Sequence, residues 1–178
     1  MSRVAALFIG RAGSGKGTQS KRLIQYLGED RSFYIYTGDH LRALMGHEEW
    51  LTAHLIKEKV MKVGAKAPDF LAIWVWANEF IHGLKEDRDL IIDGSPRTLI
   101  EAKVLDEAFA FYDIQTVFPF LLDVTSEEAF QRLKARKRAD DTDDAINARL
   151  AYYETTVMPA ISYYEKESKH KLIRIDGM

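Results

Sequence analysis

The residues most clearly placed for chemistry lie in a glycine-rich segment that reads Gly10-Arg11-Ala12-Gly13-Ser14-Gly15-Lys16-Gly17-Thr18. This segment follows a short apolar run and opens a helical pattern, so it forms a strand-to-helix turn. Glycines let backbone N–H groups turn toward an anion, and the helix adds the positive end of its dipole. The spacing therefore favours a phosphate-binding loop over an ordinary turn with a surface lysine. The predicted binding residues are Gly13, Ser14, Gly15, Lys16, Gly17 and Thr18.

Arginines form the second group of candidates. Arg132, Arg136, Arg138 and Arg149 lie within 18 positions of one another. A guanidinium group binds two phosphate oxygens at once and stays charged, so such a cluster suits a phosphate-rich ligand. Arg132 and Arg136 are four residues apart and share a helix face. The alternative is a solvated basic surface, because Lys134 and Lys137 lie in the same stretch.

The elements that position these residues alternate between short apolar runs and longer helical patterns. Strands are predicted over residues 4–9, 33–36, 90–92, 116–124 and 172–175, with Pro119 weakening the fourth. Helices are predicted over residues 18–27, 48–63, 69–84, 126–136 and 145–167, with a kink or break at Pro159. This alternation predicts an α/β fold in three layers, with five parallel strands covered by helices on both faces.

Composition limits the classes of function. The chain has 178 residues, which fits one compact domain. Its formal charge of −2 argues against a nucleic-acid coat, and the absence of cysteine excludes disulfides, Cys-ligated zinc and a thiol nucleophile. The longest apolar run, residues 70–77, is far shorter than the ~20 residues of a membrane helix. We therefore expect a cytoplasmic protein that binds neither nucleic acid nor membrane.

Several short motifs follow one another along the chain, and their order is informative about the family. They are Gly15-Lys16-Gly17-Thr18-Gln19, Thr37-Gly38-Asp39-His40-Leu41-Arg42, Asp93-Gly94-Ser95-Pro96-Arg97-Thr98, Arg138 followed by Asp140-Asp141, and Ile175-Asp176-Gly177. Together they resemble the adenylate kinase family of P-loop nucleoside monophosphate kinases, in its short-lid form, over essentially the whole chain. The resemblance implies reversible transfer of the ATP γ-phosphoryl group to a nucleoside monophosphate, with AMP favoured and Mg²⁺ as cofactor.

The resemblance also implies roles for individual residues. The catalytic residues would be Lys16, Arg97, Arg138 and Arg149. Arg132, Arg136 and Gly177 would join the phosphate loop in binding ATP. The acceptor site would comprise Thr37, Gly38, Arg42, Ala65, Ala67, Gly94, Arg97, Glu101, Arg138 and Arg149. Thr18 and Asp93 would hold Mg²⁺, largely through water.

The same resemblance implies an organisation for the chain. A single domain over residues 1–178 would have its core at 1–36, 85–136 and 143–178. An acceptor-binding insert would cover about 37–84, and a lid would cover about 137–142. Nucleotides would be its only partners, and a monomer is the default expectation.

Departures from the family pattern leave alternatives open. The lid is very short, and Glu101 stands where the family usually has Gln to read adenine. A carboxylate only accepts hydrogen bonds, which suits guanine better than adenine. Ser95 replaces the usual Phe, so kinases for GMP or for UMP and CMP stay open, although Thr98 speaks against the pyrimidine members. A P-loop kinase of another small molecule and a non-catalytic nucleotide-binding module are the remaining alternatives.

Overall fold

Five strands form one parallel sheet in the computed structural model, which describes residues 3–136 and 138–178. The strands are β1 (Val4–Ile9), β2 (Ser32–Tyr36), β3 (Asp89–Asp93), β4 (Thr116–Asp123) and β5 (Ile173–Asp176). Their order across the sheet is β2-β3-β1-β4-β5, which places β1 at the centre. All four strand pairs are parallel, so the predicted five-stranded parallel sheet is confirmed.

Pro119 lies inside β4 without ending it. Pro119 is opposite Leu7 of β1, whereas β5 pairs with β4 only from Phe120 onward. At Pro119 the strand is therefore an edge strand on its β5 side, a position at which a missing N–H is tolerated.

Eight helices surround the sheet in the described part of the chain. They are α1 (Lys16–Leu27), α2 (Thr37–Leu44), α3 (Leu51–Ile56), α4 (Asp69–Gly83), α5 (Leu99–Phe111), α6 (Ser126–Arg136), α7 (Asp143–Tyr152) and α8 (Met158–Lys166). A π-helical turn extends α3 over Lys57–Met61, and another joins α7 to α8 over Tyr153–Val157. The second one lies just before Pro159, which sits in the first turn of α8, where proline is tolerated. The expected interruption thus precedes the proline.

Two helices, α2 and α5, were not among the predicted ones. Helix α2 has only eight residues and begins inside the polar Thr37-Gly38-Asp39 motif, so its period is too short to recognise. Helix α5 does carry a start signal. The Thr98 hydroxyl accepts a hydrogen bond from the Glu101 backbone N–H at 3.2 Å, as an N-cap in a Thr-x-x-Glu sequence does.

The core lies on both faces of the sheet. Against one face pack α4, α5 and α8, whose Trp76, Phe109 and Tyr164 are almost fully buried. Against the other face α1 places Leu23 and Ile24. Because both faces are covered there, the central strand β1 is apolar throughout, as expected of parallel sheets, whereas the edge strand β5 is exposed and carries Arg174 and Asp176.

The strand ends define where a ligand can bind. Ile9, Tyr36 and Asp93 end β1, β2 and β3, and parallel strands bring these ends to one edge of the sheet. The glycine-rich segment, the start of α2 and the segment after β3 therefore meet there. In open α/β sheets, ligands bind at this carboxyl edge. Among the described helices, none has both the length and the apolar character needed to cross a bilayer.

Candidate functional site

The loop between β1 and α1 has the backbone that a phosphate site requires. Gly13 has φ +84°, and a Cβ there would lie 2.5 Å from the Ala129 carbonyl oxygen. Gly15 has φ +94°, and α1 begins at the next residue. Only glycine adopts these conformations without strain. The loop therefore curls closely over α6 and directs the positive end of α1 toward the space above the sheet.

A cavity of about 650 Å³ lies above this loop. Its volume is in the range of ligand-binding clefts. Most of the predicted site residues line it, namely Gly13, Gly15, Lys16, Gly17, Thr18, Gly38, Arg42, Ala65, Ala67, Asp93, Arg97, Arg132, Arg136, Arg138 and Arg149. Arginines from separate elements thus line one cavity above the glycine-rich loop.

Five predicted residues lie outside the lining of that cavity: Ser14, Thr37, Gly94, Glu101 and Gly177. Ser14 and Thr37 are buried beside it, and the Thr37 and Ser95 hydroxyls share a hydrogen bond of 2.9 Å. Gly94 lines a smaller space of about 30 Å³ behind the loop, and its carbonyl accepts from Arg97 Nε at 2.9 Å. The Gly177 carbonyl accepts a hydrogen bond of 2.8 Å from Arg132 Nη2, so this residue reaches the site through Arg132.

The Lys16 ammonium lies inside the glycine loop. Its Nζ donates to the carbonyls of Gly10 at 3.0 Å and Arg11 at 2.7 Å. Burial lowers the pKa of Lys16 to about 8, against the opposing influence of the nearby Asp93 carboxylate. An anion in the loop could exchange these carbonyls for a stronger, charged partner.

Asp93 ends β3 on the floor of the cavity. Burial raises the pKa of this carboxyl, and the positive charge of Lys16 opposes that rise. The Tyr34 hydroxyl donates to its Oδ2 at 3.3 Å, and a Cβ on Gly17 would lie only 3.2 Å from the same oxygen. Mg²⁺ prefers oxygen ligands such as carboxylates and hydroxyls, so the side chains of Asp93 and Thr18 fit a magnesium site.

Two tyrosines hold arginines in the cavity, and their role was not predicted. Arg97 Nη1 donates to the Tyr152 hydroxyl at 3.1 Å, and Arg138 Nη1 donates to the Tyr36 hydroxyl at 3.0 Å. Tyr152 lines the cavity and also packs against the core cluster below it. No pattern of spacing connects these pairs, because their members are 55 and 102 residues apart.

Asp140 and Asp141 pair with three further arginines of the cavity. Arg149 donates to Asp140 Oδ2 at 2.7 Å and to Asp141 Oδ1 at 2.6 Å. Arg42 reaches Asp140 at 3.1 Å, and Arg136 makes two hydrogen bonds to Asp141 at 2.8 and 2.9 Å. Burial alone would raise the pKa of both carboxyls, but the arginines lower it. These ion pairs hold the segment between α6 and α7 over the cavity; Lys137, part of the predicted lid, is outside the described residues.

Glu101 occupies a fully buried position near Arg97 and Lys66. It has no exposed surface, and neither carboxyl oxygen has a hydrogen-bond partner among the described residues. Burial raises the pKa of this carboxyl, while the nearby Ser95 hydroxyl and the positive charges of Arg97 and Lys66 oppose the rise. A protonated carboxyl offers both a donor and an acceptor, as an amide does.

A glycine-rich loop after a parallel strand, with arginines from several elements facing it, is typical of a P-loop phosphotransferase. In this class of enzyme, catalysis consists of positioning phosphates and stabilising their charge. The family model for adenylate kinase matches residues 8–169. With that model covering most of its length, the chain belongs to the adenylate kinase family.

Relatives from distant organisms agree with this assignment. An adenylate kinase of Natronomonas pharaonis is 31% identical over 205 residues, which cover 99% of this chain and 91% of the relative. An adenylate kinase of Phocaeicola vulgatus is 35% identical over 173 residues, with 94% and 87% covered. One from Thermus thermophilus is 33% identical over 178 residues, with 98% and 89% covered.

Proposed function

We propose that the protein is an adenylate kinase, which transfers the γ-phosphoryl group of ATP to AMP to give two ADP and also catalyses the reverse reaction. The observation that carries this proposal is the meeting of Lys16 with arginines from α6, α7 and the segments after β2 and β3 around one cavity. Two nucleotides that exchange a phosphoryl group bring several phosphates together. Fixed cations on all sides of one cleft are what such a transfer needs.

The donor nucleotide would lie along the glycine loop. Backbone N–H groups and Lys16 would hold its phosphates, with Arg136 above them. Arg132, which is fixed by Glu128 at 2.6 Å and by the Gly177 carbonyl at 2.8 Å, would stack on the adenine. The donor's reacting end would then point to the middle of the cavity.

The acceptor would lie toward α2 and the segment of Ala65 and Ala67. Arg42 and Arg97 would clamp its phosphate, while Arg138 and Arg149 would stabilise the phosphoryl group in transfer. The acceptor phosphate is already an anion, so no side chain has to remove a proton. This explains why the cavity offers cations where a general base would otherwise be needed.

Mg²⁺ would be held by Asp93 and Thr18, largely through water, and it would neutralise charge on the donor phosphates. The raised pKa of Asp93 fits this role, because a nearby cation restores the ionised form that burial disfavours.

The segment 138–142 would act as the lid, and residues 37–84 as the acceptor-binding insert. Their closure over both nucleotides would exclude water and so suppress hydrolysis of ATP. Nucleotides would be the only partners of a monomeric enzyme.

A coupled assay tests the proposal. ATP is offered with AMP, GMP, CMP, UMP or dAMP, and production of ADP or of the corresponding diphosphate is followed. We expect AMP to give the highest kcat/KM. Turnover with GMP or a pyrimidine nucleotide but not with AMP would show that AMP is not the acceptor. Phosphorylation of a hydroxyl compound alone, or nucleotide binding without any turnover, would reject it.

The base preference has its own test in Glu101→Gln. An amide presents the donor and acceptor that adenine requires at every pH, whereas a carboxyl does so only when protonated. We expect the variant to raise the ratio of kcat/KM for AMP over that for GMP. Glu107→Gln, on the exposed side of α5, serves as the matched control. An unchanged ratio would remove Glu101 from base recognition.

A further inference from the structure

Tyr36 occupies a central position in the cavity that the proposed reaction leaves without a role. It ends β2 directly before the Thr37-Gly38-Asp39 motif and lines the cavity. Its hydroxyl accepts a hydrogen bond of 3.0 Å from Arg138 Nη1, and the Arg138 guanidinium carbon lies 5.8 Å from the centre of its ring. The guanidinium group thus binds the hydroxyl end of the side chain and lies within the ~6 Å range of a cation–π interaction with its ring.

Two glycines let the backbone pack closely against one edge of the Tyr36 ring. A Cβ on Gly38 would lie 3.0 Å from the ring atoms Cε2 and Cζ, and a Cβ on Gly94 would lie 3.5 Å from Cε2. The backbones of two motif segments therefore lie against the same edge of the half-buried ring, and any side chain at Gly38 would push it away. A group fixed in this way can fix what it binds.

The hydroxyl of Tyr36, like that of Tyr152 toward Arg97, differs chemically from the carboxylates that bind three other arginines of the cavity. Arg42, Arg136 and Arg149 bind the carboxylates of Asp140 and Asp141, which neutralise their charge. Tyr36 holds its arginine with a neutral oxygen, so the full positive charge remains available to a phosphate.

Resting on the proposed function, we propose that Tyr36 is a positioning residue for phosphoryl transfer: it holds Arg138, on the short segment between α6 and α7, over the reacting phosphates without neutralising it. The segment next to Arg138 is too short to bring a long lid over the cavity. A fixed contact from β2 therefore replaces the orientation that a larger lid would provide.

The test is a double-mutant cycle of Tyr36→Phe and Arg138→Ala, with kcat and KM measured for ATP and AMP. Tyr36→Phe keeps the ring and removes the hydroxyl. Because misplacing a charge over the reacting group raises the barrier, we expect kcat to fall roughly tenfold while both KM values change less than about threefold. In the Arg138→Ala background the same substitution should change kcat less than about twofold.

Controls separate this role from a structural one. Tyr26→Phe alters an exposed tyrosine of α1 and should leave kcat unchanged. Equal losses of kcat from Tyr36→Phe with and without Arg138 would overturn the proposal, as would an unchanged kcat in the single variant. If the wild-type protein phosphorylates another nucleoside monophosphate and not AMP, the proposed function fails, and the same cycle measured on kcat with that acceptor decides this inference. Coupling between the two substitutions would support it, and additivity would reject it.

Discussion

Lys16 carries a charge that burial makes sensitive to pH. Its pKa is lowered to about 8, whereas the arginines around it stay protonated at every pH in use. In the unliganded enzyme, the ammonium is present below pH 8 and is lost as the pH rises through that value. Capture of the ATP phosphates should weaken in the same interval, because the site loses one of its cations.

We therefore expect kcat/KM for ATP to fall about tenfold per pH unit well above pH 8, since this ratio reports ionisations of the free enzyme. The measurement is a pH–rate profile between about 6.5 and 9.5 at constant ionic strength. Lys16→Ala should lower turnover by about 10² or more through lost charge stabilisation and should remove the fall. A wild-type profile that stays flat to the end of this range would contradict the role.

A substitution of Arg97 tests whether the cavity is divided into separate sites for ATP and AMP. Arg97 is fixed by the Gly94 carbonyl and the Tyr152 hydroxyl at the acceptor end. Removal of a charged hydrogen-bond donor costs about 3 kcal/mol, so Arg97→Ala should raise KM for AMP roughly 100-fold. KM for ATP should change only about threefold. Steady-state kinetics with each substrate varied in turn provide the measurement.

Arg174→Ala is the matched control for Arg97→Ala, because Arg174 pairs with Asp123 and Glu165 away from the cavity. It should leave both KM values unchanged. Equal increases of KM for ATP and AMP in Arg97→Ala would show that Arg97 belongs to both sites.

At the scale of elements, Asp141 joins α6 to α7. Its side chain is 1% exposed and accepts hydrogen bonds from Arg136 and Arg149. Asp141→Asn would leave Arg136 without its counter-charge and Arg149 with only that of Asp140, at a cost of about 3 kcal/mol. For a chain of this size that corresponds to a fall in Tm of about 6–12 °C near neutral pH.

The pH dependence of that difference follows from the lowered pKa of Asp141. A carboxyl whose pKa is lower in the folded state stabilises the fold above its unfolded pKa, and this stability is lost as the pH falls through the folded value. The gap in Tm between wild type and variant should therefore shrink in acid. Asp144→Asn, at an exposed position of α7, should cost less than about 1 kcal/mol. Equal losses from both substitutions would reject the joining role of Asp141.

The elements also show why sequence reasoning reached some parts of the site and missed others. The phosphate loop could be predicted because its strand, glycines, lysine and helix are consecutive in the sequence. One local pattern therefore contains all the parts of this binding loop. Helix α2 has only eight residues, which are too few to show a helical period. Helix α5 was not predicted, although Thr98 and Glu101 mark its start. Contacts such as Arg138 to Tyr36 depend on β2 and the α6–α7 segment meeting in space, which no short-range pattern encodes.

At the scale of the whole molecule, the carboxyl edge of the sheet explains how residues from distant positions form one site. Lys16 follows β1, Arg42 follows β2 and Arg97 follows β3, so parallel strands deliver all three to the same edge. The arginines after α6 reach that edge from the other side of β1. A cleft built from so many elements links its own occupancy to the stability of the fold.

That link gives a prediction for the intact protein. A ligand present at 100 times its Kd stabilises the folded state by about 2.7 kcal/mol, which corresponds to a rise in Tm of about 5–10 °C here. ATP and AMP should each produce this rise in thermal unfolding of the wild type. In Arg97→Ala, the same concentration of AMP would be close to its weakened Kd. Its contribution should fall to about 0.4 kcal/mol, or about 1 °C, while the rise with ATP persists. A variant that loses the ATP shift and keeps the AMP shift would reverse the assignment of the two ends of the cavity.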